Sequence, residues 1–311
     1  MQKKEYHQPV LLEEVIEWLA IKPNGVYIDA TLGRGGHSRE ILRRLSEGAR
    51  LLMIDKDPEA VAFAQRSWDL DQRVQVYQAS FAELEDITKA SGVYGKVDGL
   101  LLDLGVSSPQ LDQAERGFSF LKDGPLDMRM DPNRGISAAR WLADATERKI
   151  AQVIKDYGEE RYAKRIAEAI VNTRRREAIM STVQLATIIK RAHPRWDRHK
   201  HPATRTFQAI RIYINQEIED LKSCLQQSID VLATSGRLLV ISFHSIEDRI
   251  VKHFIRRHAD EPVALKMLPI IPAAWRPKLK SLSRGIKPTV QAIASNPRSR
   301  SAVLRVAEKL L

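Results

Sequence analysis

The residues that could do chemistry lie at the ends of apolar runs. Asp29 closes the run Val26–Ala30 and is followed by a glycine turn, Gly33-Arg34-Gly35-Gly36-His37, and an amphipathic stretch to Leu42. Asp55 ends the next run, Leu51–Asp55, Phe81 follows a third, Val74–Ala79, and Asp103 ends a fourth, within Lys96–Leu104. Glycines after a strand let backbone amides approach a ligand closely, and an acid on the tip of the next strand is placed to accept hydrogen bonds from a ribose diol. An aromatic such as Phe81 could lie against a purine ring.

Two cofactors compete for such a turn. A dinucleotide wants G-x-G-x-x-G opening a helix, which Gly33–His37 matches poorly. The acid-x-x-x-Gly spacing from Asp29 to Gly33 suits a ligand with a cationic centre and an amino-acid tail, as in S-adenosylmethionine. Asp29 would meet its α-ammonium group, Asp55 its ribose and Phe81 its adenine, which favours a methyltransferase over an oxidoreductase. Methylating a pyrimidine ring carbon calls for a cysteine nucleophile. The single cysteine, Cys224, shares core spacing with Leu221, Leu225 and Ile229 and reads as packing. An exocyclic amine needs only an acceptor on its N–H to localise the lone pair. Asp103-Leu104-Gly105-Val106-Ser107-Ser108-Pro109 supplies acceptors, with Asp103 orienting the amine and Ser107 and Ser108 near the base.

Strands alternating with helical stretches over the first hundred or so residues call for a parallel α/β sheet, whose ligands bind at the carboxyl ends of the strands. The pattern changes after Gly105. A turn-rich stretch to Gly135 precedes helical segments at Ser137–Leu142, Glu147–Tyr157, Glu159–Arg174 and Thr182–Arg191, then a basic loop from His193 to Arg205. One long helix, Arg205–Leu232, returns the chain to a strand at Gly236–Phe243 and a helix at Ile246–His258 that Ser245 would cap. The proline-rich stretch 260–288 reads as loop, and Ser301–Lys309 as the closing strand. Residues 1–114 and 213–311 therefore form a discontinuous doubly wound domain, with residues 115–212 an inserted, all-helical substrate-binding module.

The chain has 311 residues, 43% hydrophobic, and a net charge of +11. Residues 161–211 hold 13 basic and 3 acidic side chains, and residues 249–311 hold 14 and 3, so the remainder is acidic. Two basic blocks on an acidic body suit a polyanionic partner, with Arg174, Arg175, Arg176, His201, Arg205 and Arg211 as contacts to RNA. Arg205 and Arg211 could instead pair with acids of their own helix. Arg129 could reach RNA or form an ion-pair knot with Asp127 and Asp131, and His244 could touch the base or simply close its strand. No apolar run is long enough to span a membrane. The acids within the N-terminal apolar stretch speak against a signal peptide, and one cysteine fits a reducing, cytoplasmic setting. No cysteine–histidine cluster has zinc spacing, so no metal is expected. The oligomeric state stays open, a homodimer among the options.

The segments IDATLGRGGHS, LLLDLGVSSPQLDQAERGFSF, DGPLDMRMDP, YGEERYAKRIAEAI, HPATRTFQAIRIYIN, ISFHSIEDRIVK and NPRSRSAVLRVAE resemble the ribosomal RNA small subunit methyltransferase H family, which methylates N4 of a cytidine in the decoding region of 16S rRNA. The resemblance implies a class I methyltransferase fold with a helical insert, S-adenosylmethionine as cofactor and the assembling small subunit as partner. On matching positions it implies cofactor contacts at Gly35, Gly36, His37, Asp55, Phe81, Asp103 and Gln110. A pure S-adenosylmethionine sensor, or a methylase of DNA or another RNA, is the alternative to an rRNA enzyme.

Overall fold

The structure is a computed structural model that describes residues 9–194, 201–260 and 276–310. The chain divides into two compact units, Met1–Gly105 with Glu219–Leu311, and Val106–Ile218. The sequence pattern places the joins at 115 and 212 instead.

In the first unit the strands are β1 (Val26–Asp29), β2 (Arg50–Asp55), β3 (Val74–Gln78), β4 (Val97–Asp103), β5 (Leu232–Ser242), β6 (Leu279–Ser281) and β7 (Val303–Lys309). They form one seven-stranded sheet in the order β3-β2-β1-β4-β5-β7-β6. The first five run parallel, while β7 is antiparallel to both β5 and β6. Strands buried on both faces read as unbroken apolar runs, and residue parity then decides the face. Ile28, Leu52, Ile54, Leu100, Leu102, Leu238 and Val240 face one way. They pack on α4 (Leu84–Ala90), α11 (Glu217–Val231) and α12 (Ser245–Ala259). Tyr27, Leu51, Met53, Leu101, Leu239 and Ile241 face the other way, onto α1 (Leu12–Leu19), α2 (Gly36–Leu42) and α3 (Pro58–Trp68). The strand order reverses at β1, between β2 and β4, and opens a crevice at their carboxyl ends. This is the doubly wound class I methyltransferase sheet expected from the sequence.

The second unit contains α5 (Ser108–Asp112), α6 (Ala138–Asp144), α7 (Glu147–Gly158), α8 (Ala163–Arg174), α9 (Thr182–Ala192) and α10 (Thr204–Asn215). Its core joins Trp141, Ile150, Ile154, Ile166, Ile170, Leu185, Ile189, Phe207 and Ile210 from five of these helices, with Leu126 and Met128 of the preceding loop. Among the described residues no helix is long and apolar enough to cross a membrane.

Several sequence expectations need correction. The long helix 205–232 is two helices, α10 and α11, broken at Gln216, which takes a left-handed φ of 55°. Asn215 turns inward at the break, donating from Nδ2 to the Met128 carbonyl at 2.8 Å and accepting the Met130 amide at 2.7 Å. Apolar periodicity runs on across this point and hides it. Likewise α8 begins at Ala163, because Glu159 is left-handed and the Glu160 carboxylate accepts the Tyr162 amide. The proline-rich stretch 260–288 contains the three-residue strand β6, an edge position that tolerates flanking prolines. The cap of α12 is His244 rather than Ser245. Of the basic loop, residues 195–200 lie outside the described residues, as do residues 261–275 of the proline-rich stretch.

A non-glycine left-handed residue is strained by its Cβ. Gln216→Gly is therefore expected to stabilise the protein by roughly 0.5–1 kcal/mol, the relief of strain outweighing the added flexibility of the unfolded chain. A urea midpoint no higher than that of the parent would contradict this.

Candidate active site

The carboxyl edge of the first unit gathers most of the expected cofactor residues. β1 ends at Asp29, and the chain turns through Gly33 (φ 52°) and Gly35 (φ 65°) into α2. A Cβ on Gly35 would overlap the Trp68 ring, and one on Gly36 the Pro9 ring, so both glycines are fixed by packing beneath the turn as well as by backbone shape. The turn is anchored on the next strand by the Gly33 amide, which donates to Asp55 Oδ2 at 2.8 Å. The other Asp55 oxygen accepts the Asp57 amide at 2.8 Å. Each oxygen keeps a lone pair for a further donor such as a ribose hydroxyl.

The structure gives Asp29 a role other than the ammonium contact expected of it. It is 1% exposed, accepting the Thr31 amide at 3.2 Å on one oxygen and the Ser38 hydroxyl at 2.6 Å on the other. It organises the turn from below. Phe81 opens a short 3₁₀ turn after β3 and is half-buried against the apolar layer of the sheet.

Asp103 ends β4 with its amide held by the Thr31 hydroxyl at 2.6 Å. Its Oδ2 stands 3.7 Å from His37 Nδ1, and its side chain keeps 24% of its surface open. Its Oδ1 is buried and meets no hydrogen-bond donor among the described residues. His37 is buried, with Nε2 3.0 Å from the Val10 carbonyl. A carbonyl only accepts, so the neutral ring carries its proton on Nε2 and turns the Nδ1 lone pair toward Asp103. Burial holds His37 below the usual imidazole range, against the pull of Asp29.

Three acids at this edge are strained by burial. Desolvation, with help from Asp57 and Asp29, pushes Asp55 up to about 6. Burial, then the charges of Asp29 and Glu247, raises Asp103 well above the carboxylate range, and burial raises Asp29 too. An edge made of acceptors, with one buried oxygen unsatisfied, fits a cationic ligand that carries hydroxyl groups. S-adenosylmethionine has that chemistry.

His244 caps α12, its Nδ1 accepting the Glu247 amide at 3.4 Å while Glu247 accepts the Phe243 and His244 amides. It closes the end of β5, the plainer of the two readings its sequence position allowed.

In the second unit, Ser107 and Gln110 form a capping box for α5. Gln110 is 3% exposed and its Oε1 accepts the Ser107 amide at 2.9 Å. The S-x-x-Q spacing with a proline between is a helix-start signal that the sequence itself carries. Ser108 opens α5, half-buried. Arg129 is locked in a two-pronged pair with Asp127, at 2.7 and 2.8 Å, while Asp131, the third residue of the expected knot, pairs with Arg134 at 3.7 Å. Burial would raise Asp127, but Arg129 outweighs it and holds the carboxyl low. Arg211 grips Glu217 in the same way, at 2.8 Å through two nitrogens. Arg174 donates to the Leu142 carbonyl at the end of α6. Arg205 reaches the Glu159 carbonyl at 3.1 Å, and His201 lies on the Phe120 ring with centroids 4.5 Å apart. Arg175 and Arg176 are exposed, as are Arg161, in the turn before α8, and Lys164 and Arg165 on α8. Thr31, Asn215 and Asp220 carry no signal in the sequence, because their partners lie far away along the chain.

A carboxyl with a raised folded-state pKa binds its proton more tightly when folded. The stability it lends is full below the unfolded carboxylate range and is lost as pH rises through the raised value. For Asp55 that window runs from about 4 to about 6. Asp103→Asn removes a strained charge and offers an amide N–H to His37 Nδ1. It is expected to raise the unfolding midpoint of the ligand-free protein, by several degrees more at about pH 7.5 than at about pH 5. Equal shifts at both pH values would show that charge strain is not the cause.

Residues 4–310 match the model of the MraW methylase family. A "Ribosomal RNA small subunit methyltransferase H" of Alteromonas mediterranea is 58% identical over 306 residues, covering 98% of this chain and 97% of that protein. Proteins of the same name from Legionella pneumophila (strain Paris) and Coxiella burnetii (strain RSA 331) are 53% and 51% identical, each covering 98% of this chain and 99% of their own length. With the family model matched from end to end and half or more of its residues shared with these proteins, the chain belongs to the MraW methylase family.

Proposed function

We propose that the protein transfers the methyl group of S-adenosylmethionine to the exocyclic N4 amine of a cytidine in the decoding region of 16S rRNA, acting in the cytoplasm on the small ribosomal subunit. Small-subunit rRNA as substrate is supported by the name its relatives carry. The observation that carries the chemistry is Asp103, a strand-tip acid with one buried oxygen unmatched by any donor among the described residues.

S-adenosylmethionine supplies an electrophilic methyl group on a positively charged sulfur. The turn Gly33–His37 would hold it through backbone groups, Asp55 would accept its ribose hydroxyls and Phe81 would cover its adenine. Cation binding lifts the penalty on the charged form of Asp103, so the acid is a carboxylate when the amine arrives. That carboxylate accepts an amine N–H and localises the nitrogen lone pair. Asp103 would also be the acceptor for the proton that the amine nitrogen gives up on methylation. His37, neutral and fixed by Val10, keeps the far side of Asp103 free of competing positive charge.

The helical unit is the RNA-binding part in this proposal. Ser107 and Ser108 lie on the loop that leads from Asp103 into it, and Arg175, Arg176, His201 and Arg205 offer exposed groups for the backbone. Arg129, Arg174 and Arg211, each engaged within the unit, shape the surface rather than lead contact with RNA.

Asp103→Ala is expected to lower labelled methyl transfer to small subunits by at least about a hundredfold. Near-normal turnover would end the assignment. Replacing both Arg175 and Arg176 with Ala should reduce the slope of log affinity against log salt by about 2, one for each phosphate no longer neutralised. Arg174→Ala should instead destabilise the helical unit, by about 1 kcal/mol for the missing hydrogen bond to α6.

A further inference from the structure

We infer that Asp220, on α11, is a positioning residue for the nucleoside half of the cofactor, because one of its carboxylate oxygens ties together the two turns that carry Asp55 and Phe81. The inference rests on the reading above, in which those residues meet ribose and adenine. Asp220 Oδ2 accepts the Ser80 hydroxyl at 2.6 Å and pairs with Lys56 Nζ. Lys56 directly follows Asp55, and Ser80 directly precedes Phe81. The pair is largely shielded, with 22% of the Lys56 and 14% of the Asp220 side chain exposed.

Ser80 is itself a structural hub. Its hydroxyl accepts the Ala82 amide at 3.0 Å and its own amide donates to Glu83 Oε1 at 3.0 Å, a reciprocal cap around Phe81. Two turns further along α11, Gln227 donates to the Ala82 carbonyl at 2.7 Å and accepts the Glu85 amide at 2.7 Å. The helix therefore grips the Phe81 turn on both sides and the Asp55 turn on one. The two strands contribute a last backbone bond, Ala79 N to Asp55 O at 3.0 Å, just before the turns. Past that point Asp220 bridges them. Loops that must be ordered by a ligand lower its affinity, whereas loops already fixed on a helix do not. A role confined to helix packing would lower the unfolding midpoint and leave the affinity of the folded protein for the nucleoside unchanged.

The test uses the full chain and two probes, S-adenosylhomocysteine and 5′-methylthioadenosine, which keeps the nucleoside but lacks the amino-acid tail. Calorimetric titration of Asp220→Ala should show Kd raised about tenfold for both probes and by the same factor. Asp220→Asn retains an acceptor for Ser80 but loses the charge opposite Lys56, so it should fall between parent and Ala. Should the Ala variant fail to fold, Asp220→Asn and Lys56→Met carry the test, each weakening both probes severalfold and equally. Unchanged affinity for 5′-methylthioadenosine, or a loss confined to S-adenosylhomocysteine, would overturn the inference while leaving the cofactor assignment standing. Failure of the unmutated protein to bind either probe would overturn both.

Discussion

The first unit is organised around a concentration of negative charge that no Lys or Arg among the described residues is seen to pair with. Asp29, Asp55 and Asp103 end neighbouring strands, with Asp57 and Glu247 close enough to push on them. His37, 3.7 Å from Asp103, is buried and held neutral. Carboxylates crowded in this way raise the free energy of the ligand-free state, and protonation or a cation arriving from outside relieves them. The doubly wound topology makes the crowding unavoidable, because parallel strands that meet at a switch point deliver their ends to one crevice. The protein offsets part of the cost with backbone amides. Gly33 and Asp57 donate to Asp55, Thr31 to Asp29, and Phe243 and His244 to Glu247. Asp103 is left with an oxygen that no donor among the described residues satisfies, the difference on which its proposed part in the reaction rests.

The strand tips were legible in the sequence because parallel strands buried on both faces leave unbroken apolar runs. An acid that ends such a run stands out, as LLMID and LLLD do. Positions were therefore easier to read than partners. Asp29 has the same type and placement as Asp55, yet it turns inward to Ser38, and nothing in a linear pattern separates the two. The arginines repeat the lesson. Composition showed a basic unit, but Arg129 and Arg211 spend their guanidinium groups on Asp127 and Glu217, two and six residues away. Such short-range pairs are visible as spacings but are indistinguishable from free charges until the backbone is known. The break at Gln216 was hidden for a related reason. Helical periodicity records which side chains are buried, and burial continues on both sides of a single left-handed residue.

What escaped the sequence altogether are contacts made across long separations. Ser80 and Asp220 are 140 residues apart, as the distant halves of a discontinuous unit must be. The helix that carries Asp220 arrives directly after the helical unit and starts the chain's return to the sheet, so in sequence the insertion falls between the turns at Lys56 and Ser80 and the helix that holds them. Cys224 lies on that same helix, fully buried beside Leu221 and Leu225, with burial and then Asp220 pushing its thiol up. It is a packing residue, as its spacing implied. A helix with an apolar face on the sheet and polar groups gripping two loops is performing both tasks with one amphipathic sequence.

These two features act on opposite terms of the binding equilibrium. The uncompensated acids raise the free energy of the empty site, so a cation gains from their relief. The anchored turns lower the entropy lost when the nucleoside is held. Charge strain alone would be lost to motion, since loops free to move would carry their acids apart and dissipate it. Anchoring alone would hold a neutral nucleoside as well as a cationic one. In the proposed site, strained acids on fixed strand ends would make affinity depend on the positive sulfur, the part of the cofactor whose charge disappears when the methyl group leaves. The same arrangement that favours the charged cofactor would then weaken the hold on its neutral product and help the site to turn over.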